Sequence, residues 1–223
     1  MTNITAEHLD YHKTFESYRS AKLKLFKLAN RNKKGLKIGL VNKDDPSASI
    51  FSKAIQNPIS YGKNADITPK NLKITPGGSS YEAHFKIRGT NHKIRAKLNL
   101  PGEFNVYNSM AAVGVCAALG LSDQQIEEGL ASLKLVKGRM HKVDLGQDFD
   151  VVIDYAHTPD SFEKIFKTFR PITKGRIIAV FGSAGRRDEQ KRYAQGELAG
   201  KYADVVIATE EDDRDQDGIK ILE

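Results

Sequence analysis

The sequence predicts an α/β fold, and three observations indicate it. Apolar side chains recur near helical spacing over residues 14–30, and Gly35 separates this predicted helix from an apolar strand at residues 36–41. Residues 81–100 alternate strictly between apolar and polar side chains around a turn, which predicts an antiparallel hairpin with one face in water. After residue 138 strand and helix patterns alternate, as in a parallel sheet with helices on its faces.

The remaining elements follow from local signals. Pro46, after Asp45, occupies the favoured first position of a helix that reaches about residue 55. Helices are predicted at residues 105–119 and 122–133, the second with Ser122 as its N-cap. The second half is expected to contain strands 150–154, 176–181 and 204–208, with helices 159–169 and 188–202 between them. The change of rhythm near Val136 predicts two domains, residues 1–136 and 137–223.

Composition excludes several classes of protein. Apolar residues make up 39% and charged residues 28% of the 223 residues, a balance typical of globular chains. The single cysteine, Cys116, cannot form an intramolecular disulfide, which fits a reducing, cytoplasmic setting. The net charge of +7 comes from lysines and arginines interleaved with 28 acids. We therefore expect no nucleic-acid partner, and we also expect a monomeric protein with no membrane partner.

Three polar runs directly follow the predicted strands of the second half. They are residues 154–160, 182–188 and 209–214. Because the carboxyl ends of parallel strands meet at one edge of a sheet, these runs predict a crevice for a polar ligand. Gly-Ser-Ala-Gly at 182–185 is similar to a phosphate loop but lacks Gly-Lys-Thr, and a tight turn explains it equally well. The basic cluster Arg186, Arg187, Lys191 and Arg192 suits phosphates or carboxylates.

Several runs resemble the Mur ligase family, and they occur in family order along almost the whole chain. They are residues 2–12 with 18–22, Val-Asn-Lys-Asp-Asp at 41–45, Gly-Glu-Phe-Asn-Val-Tyr-Asn at 102–108, Gly-Arg-Met at 138–140, Asp-Tyr-Ala-His-Thr-Pro-Asp at 154–160, and Gly-Arg-Arg-Asp through Lys-Arg at 185–192. The last two point within the family to the UDP-N-acetylmuramoyl-tripeptide synthetases.

The resemblance implies a fold and an activity. Residues 1–136 would belong to a central ATPase domain containing the antiparallel hairpin, and residues 137–223 to a Rossmann-like C-terminal domain. Family members use ATP and Mg²⁺ to activate a carboxylate of a UDP-N-acetylmuramoyl peptide as an acyl phosphate, which an incoming amino acid then displaces. The family's phosphate loop would precede Thr2 and another conserved region would follow Glu223, so we expect a truncated fragment that is inactive alone.

The resemblance also assigns catalytic and metal-binding residues. His8 would be a magnesium ligand, and Lys22 would be carbamylated and so become a carboxylate-like ligand. Arg139 would reach the ATP phosphates as the C-terminal domain closes. Without the resemblance, His8 reads as a structural histidine and Lys22 as a surface lysine.

Nucleotide binding is assigned in the same way. Asn108 resembles an asparagine that contacts adenine, with Asn105 nearby, since an amide offers a donor and an acceptor to a base edge. Asn105 equally suits a helix cap. Asp154 would hold the ribose and His157 would lie beside the phosphates, together with Arg139.

The predicted amino-acid site combines Arg187 with Arg214 and Asp212. Arg187 matches the arginine that grips the incoming amino acid, since its fork suits a carboxylate. Members that add meso-diaminopimelate carry Asp-Asn-Pro-Arg, whereas this chain has Glu-Asp-Asp-Arg at 211–214. The retained Arg214 favours diaminopimelate over lysine, although Asp212 and Asp213 could instead receive the side-chain ammonium of lysine or ornithine.

Two other functions remain open on the sequence. One is a different Mur-like ligase, of the folylpolyglutamate or cyanophycin synthetase type, which the 154–160 run disfavours. The other is a non-catalytic nucleotide- or RNA-binding module, which the basic pI near 9.3 suggests.

Overall fold

The computed structural model describes residues 1–5, 7–75, 77–186 and 189–222. Two compact units are present. The first comprises Met1–Ile4 and Arg19–Asp154, and the second Thr5–Tyr18 and Tyr155–Glu223. The domain boundary expected near Val136 stays a prediction.

The described elements run in the following order. The helices are α1 (Leu9–His12), α2 (Phe15–Arg31), α3 (Ala48–Lys53), α4 (Glu103–Leu119), α5 (Asp123–Ser132), α6 (Pro159–Phe169), α7 (Glu189–Tyr202) and α8 (Gly218–Leu222). The strands are β1 (Ile38–Asn42), β2 (Asn57–Tyr61), β3 (Lys70–Thr75), β4 (Gly78–Ile87), β5 (Thr90–Leu98), β6 (His141–Val143), β7 (Val151–Ile153), β8 (Ile178–Phe181) and β9 (Val205–Ala208). None of these described helices is both long and apolar enough to cross a membrane.

The predicted hairpin is confirmed as β4 and β5. The strands pair antiparallel, with Tyr81 opposite Ala96, and the inward apolar side chains are buried against α4. Arg88 and Gly89 form the two-residue turn with φ of 50° and 84°, the left-handed pair that matches strand twist in a tight hairpin. Burial raises the pKa of Tyr81 to about 12 and outweighs the opposing effect of its hydrogen bond with Ser109.

Three strands of the first unit were not predicted, namely β2, β3 and β6. β2 pairs parallel with β1, and β3 pairs antiparallel with β4. All residues of β3 are exposed, so no apolar alternation marks it in the sequence.

The expected helical position of Pro46 is wrong. The helix α3 begins at Ala48, after Ser47 in the N-cap position. The buried Asp45 carboxylate shapes the preceding turn, because it accepts hydrogen bonds from the backbone N–H groups of Ser47 (2.8 Å) and Ile4 (2.9 Å). That turn holds Pro46 outside the helix.

The second unit contains β8 and β9, paired in parallel as predicted. Phe162 and Phe166 of α6 and Ala199 of α7 form its buried core. The expectation of a third parallel strand at 150–154 is wrong, since β7 pairs antiparallel with β6. The segment between them turns through Gly146, at φ 89°, and returns the chain alongside β6.

The His92–Asp123 pair joins the hairpin to α5 and gives a pH prediction. His92 Nδ1 lies 2.6 Å from Asp123 Oδ1, and the backbone N–H of Lys93 donates to Asp123 Oδ2 at 2.8 Å. Partial desolvation opposes ionisation of Asp123, but these hydrogen bonds together lower its pKa. A lowered folded-state pKa contributes stability above the unfolded-state pKa of about 3.9, and this contribution disappears as the pH falls through the folded-state pKa.

We therefore expect Asp123→Asn to destabilise the protein at pH 7 and to flatten the acid limb of its stability curve. Urea unfolding between pH 3 and pH 7 measures this, with Asp148→Asn at an exposed position as the control. Parallel curves for wild type and Asp123→Asn would contradict the assignment.

Candidate functional site

The loops that follow β8 and β9 lie directly against each other. The backbone N–H of Gly185 donates to Asp212 O at 2.7 Å, and the N–H of Thr209 donates to Phe181 O at 3.0 Å. A Cβ atom on Gly185 would collide with the carbonyl of Asp213, which explains why this position is a glycine. The predicted convergence of these two runs is therefore present in the second unit.

Two glutamines connect the strand-end loops. Gln195 of α7 is 3% exposed; its Nε2 donates to His157 O at 3.1 Å, and its Oε1 accepts from Ser183 Oγ at 2.8 Å. Gln216 Oε1 accepts from the backbone N–H of Arg186 at 2.7 Å and from Arg192 Nη2 at 3.1 Å. The loops after β7, β8 and β9 are thereby bonded in series.

His157 lies in a polar cluster with residues from the N-terminal part of the second unit. Its Nε2 is 3.1 Å from Glu7 Oε1, and its Nδ1 is 3.0 Å from Tyr155 O. His8 Nε2 is 3.6 Å from the same Glu7 oxygen. His8 itself has a left-handed backbone, with φ of 56°. Both predicted histidines therefore lie beside one carboxylate.

The roles of His8 and Lys22 as magnesium ligands are not tested by this structure. Within the described ranges, no group of three or more His, Cys, Asp or Glu side chains could hold a metal ion. Lys22 is an exposed residue of α2 and belongs to the first unit, whereas His8 belongs to the second. The described side chains do not by themselves fit Mg²⁺, so the metal roles of His8 and Lys22 stay predictions.

The predicted amino-acid residues are partly described. Arg214 Nε donates to Asp212 Oδ2 at 2.8 Å, so these two predicted residues pair with each other. Arg186 Nη2 lies 3.5 Å from Asp215 Oδ2 at an exposed position. Arg187 lies outside the described residues.

The predicted nucleotide residues of the first unit differ in their surroundings. Asn105 is buried and its Nδ2 donates to Pro101 O at 2.7 Å. It lies inside α4, which begins at Glu103, so it is not the N-cap considered from the sequence.

Asn108 and Arg139 are exposed. Asp154 Oδ2 accepts the backbone N–H of Met140 at 2.7 Å.

Comparison with known proteins decides the family. The Mur ligase middle domain matches residues 1–116, and the Mur ligase glutamate ligase domain matches residues 138–223. The chain belongs to the Mur ligase family. The resemblance and the fold class expected from the sequence are thereby confirmed.

Relatives within the Mur ligase family match nearly the whole chain. A UDP-N-acetylmuramoyl-L-alanyl-D-glutamate–2,6-diaminopimelate ligase of Clostridium acetobutylicum is 40% identical, over 99% of this chain and 45% of its own length. A UDP-N-acetylmuramyl-tripeptide synthetase of Roseiflexus is 42% identical, again over 99% and 45%. A solved diaminopimelate ligase structure matches with a TM-score of 0.61 and 29% identity, over 99% and 45%. The chain thus spans a little under half the length of these Mur ligases.

Sequence reasoning missed the polar residues that organise this Mur ligase chain. Gln195 and Gln216 carry no recognisable pattern, because single amides occur throughout helices and loops. Asp44 falls in the Val-Asn-Lys-Asp-Asp run, and its Oδ2 accepts from Tyr107 Oη at 2.7 Å and from the N–H of Lys63 at 2.8 Å. Burial, reinforced by the Asp44 hydrogen bond, raises the pKa of Tyr107 above its usual range.

Proposed function

We propose that this chain is part of an ATP-dependent amide ligase that adds a diamino acid to UDP-N-acetylmuramoyl-L-alanyl-D-glutamate in peptidoglycan synthesis. The observation that carries the proposal is the identity of 40% and 42%, over 99% of the chain, to a diaminopimelate ligase and a tripeptide synthetase. The joined strand-end loops support it, since they group arginines and acids at the carboxyl ends of parallel strands. ATP and the UDP-linked peptide place the reaction in the cytoplasm.

The proposed reaction has two steps. The γ-phosphoryl group of ATP passes to a glutamate carboxylate, giving an acyl phosphate and ADP. The amine of the incoming amino acid then attacks the carbonyl carbon, the bond from that carbon to the phosphate oxygen breaks, and the nitrogen loses a proton. Phosphate leaves and an amide remains. The barrier is largely electrostatic, because the first step brings anions together.

Nucleotide binding is proposed for the residues that the resemblance assigned to it. Asn108 would contact the adenine, with Asn105 holding the start of α4 through its bond to Pro101. Asp154 would contact the ribose and support the turn at Met140. Arg139 and His157 would face the phosphates. A guanidinium suits this role, and the imidazole of His157 is held beside the Glu7 carboxylate.

Amino-acid binding is proposed for Arg187, Arg214 and Asp212. Meso-diaminopimelate has a distal carboxylate that lysine lacks, and the guanidinium of Arg214 can pair with it. In the structure the Asp212 carboxylate accepts the hydrogen bond of Arg214 Nε. The carboxylate of a bound amino acid would therefore share this donor with Asp212 or displace Asp212 from it. We favour diaminopimelate as the substrate because Arg214 is retained.

Replacing Arg214 with alanine is expected to lower kcat/KM for diaminopimelate by about 10- to 150-fold, since a hydrogen bond to a charged group contributes about 1.5–3 kcal/mol. Turnover of lysine should change little. Asp212→Asn is the matched variant: it removes the competing charge and should favour diaminopimelate further. If lysine is preferred and Arg214→Ala leaves that preference unchanged, the selectivity assignment fails while the ligase proposal stands.

A substrate panel with the full-length protein that contains this chain tests the function. ADP release should require both UDP-N-acetylmuramoyl-L-alanyl-D-glutamate and a diamino acid, and mass spectrometry should detect the tripeptide product. Turnover with folates and glutamate instead would assign the chain to another Mur-like ligase. Polyanion binding with a steep salt dependence and no ADP release would favour the nucleic-acid alternative.

A further inference from the structure

Gln195 is a buried amide whose two ends both bond to neighbouring loops. It lies on α7, is 3% exposed, and contacts the loop after β7 through His157 O and the loop after β8 through Ser183 Oγ. A buried amide is tolerated where both ends have partners, and it then favours one arrangement of the groups around it. Gln195 therefore specifies how these two loops are placed.

Each of the two loops also has anchors of its own. The loop after β7 is held by the capping box at the start of α6, where Thr158 and Ser161 bond reciprocally, and by the bond from His157 N–H to Ser161 Oγ. The loop after β8 is bonded to the loop after β9 through Gly185 N–H and Asp212 O, and to Gln216. Loss of the Gln195 bonds would therefore leave two internally ordered groups with a less defined relative position.

These two groups carry different parts of the proposed reaction. The first contains His157, proposed beside the ATP phosphates, and the second contains Asp212 and Arg214, proposed at the amino acid. Amide formation requires the attacking nitrogen and the acyl phosphate carbon to be aligned, and a displacement of about 1 Å can cost about 100-fold in rate.

We propose that Gln195 is a positioning residue that aligns the amino-acid loops with the nucleotide loop, and so acts on amide formation rather than on carboxylate activation. This inference rests on the proposed function. It assigns Gln195 no contact with either substrate. Gln195 affects amide formation, the second step, since the acyl phosphate forms at the loop after β7, which contains His157.

The test separates the two steps in the full-length enzyme. Hydroxylamine, a small nucleophile that needs no amino-acid loop, traps the acyl phosphate as a hydroxamate and releases phosphate. Gln195→Met keeps a similar volume and removes both hydrogen bonds. We expect tripeptide formation to fall about 10- to 100-fold, with hydroxamate formation and the KM for ATP within about twofold of wild type.

Two further variants keep the test decisive. Ser183→Ala removes one of the two bonds with little change in volume and should give a smaller loss in the same direction, not additive with Gln195→Met. Gln124→Met is the matched control, because Gln124 is exposed on α5 and bonds only within its helix through Glu128 in the contacts described. It should leave both steps unchanged.

The possible outcomes distinguish the role of Gln195 from the ligase function on which that role rests. Equal loss of tripeptide and hydroxamate formation in Gln195→Met and Ser183→Ala, or no loss in either, would overturn the positioning role while leaving the ligase in place. A wild-type enzyme that forms neither tripeptide nor hydroxamate would overturn the proposed function, and the role of Gln195 with it.

Discussion

Replacing Lys22 with alanine in the full-length enzyme is expected to reduce turnover by about 100-fold or more, the size seen when an electrostatic stabiliser is removed. Lys22 is exposed on α2, so truncation of its side chain has little effect on folding. The loss would therefore report on chemistry at the lysine amine. Carbamylation would convert this ammonium into a carboxylate-like group, and acetate or formate should restore part of the activity.

Lys27→Ala is the control for this experiment, because Lys27 is also an exposed lysine of α2. It should leave turnover unchanged. If Lys22→Ala behaves like Lys27→Ala, or if short carboxylates restore both equally, the proposed carbamate at Lys22 is ruled out.

Phe166→Ala is expected to destabilise the second unit by about 3–5 kcal/mol, the usual cost of removing a buried aromatic side chain. Phe166 is 6% exposed, and its ring stacks on Tyr202 with centroids 5.7 Å apart and planes 11° apart. The ring centroid of Phe162, on the same helix, lies 6.1 Å from that of Phe166. Truncation would leave a cavity between α6 and α7 that these neighbours fill only in part.

Denaturant unfolding measures the loss, with Tyr193→Ala on α7 as the comparison. Tyr193 is 71% exposed, so truncation of this aromatic side chain should change the free energy of unfolding by less than about 0.5 kcal/mol. Similar values for the two variants would show that the α6–α7 core is not the main support of the second unit.

Elements with a periodic apolar face could be predicted from the sequence. The hairpin is an example, because Tyr81, Ala83 and Phe85 alternate with polar residues and all three are buried. The start of α5 is another, since Ser122 is the N-cap that the sequence indicated; the structure adds its capping box with Gln125. In both cases the signal is local in the chain.

Elements defined by distant partners could not be predicted in this way. The exposed strand β3 exists because β4 offers it a hydrogen-bonding edge. The pairing of β7 with β6 depends on the turn between them, and β6 is only three residues long. Apolar periodicity does not report either interaction.

The residues of the candidate site also differ in whether a local sequence pattern identifies them. Family motifs identify residues such as His8, His157 and Arg214 by type and order. The bonds that hold their loops come from Gln195 and Gln216, whose partners lie 38 and 30 residues away in the chain. Long-range hydrogen bonds of single amides leave no local trace in one sequence.

The division of the chain into units has a consequence for how it can be cut. Thr5–Tyr18 belongs to the second unit, although 136 residues of the first unit separate it from Tyr155. The units are therefore joined by three covalent connections, and the one between Tyr18 and Arg19 falls inside the continuous helix α2. A fragment that starts at Tyr155 would lack Glu7, the carboxylate beside His157. Protease cleavage after Asp154 would likewise leave Thr5–Tyr18 on the piece that carries the first unit, and so separate it from the rest of the second unit.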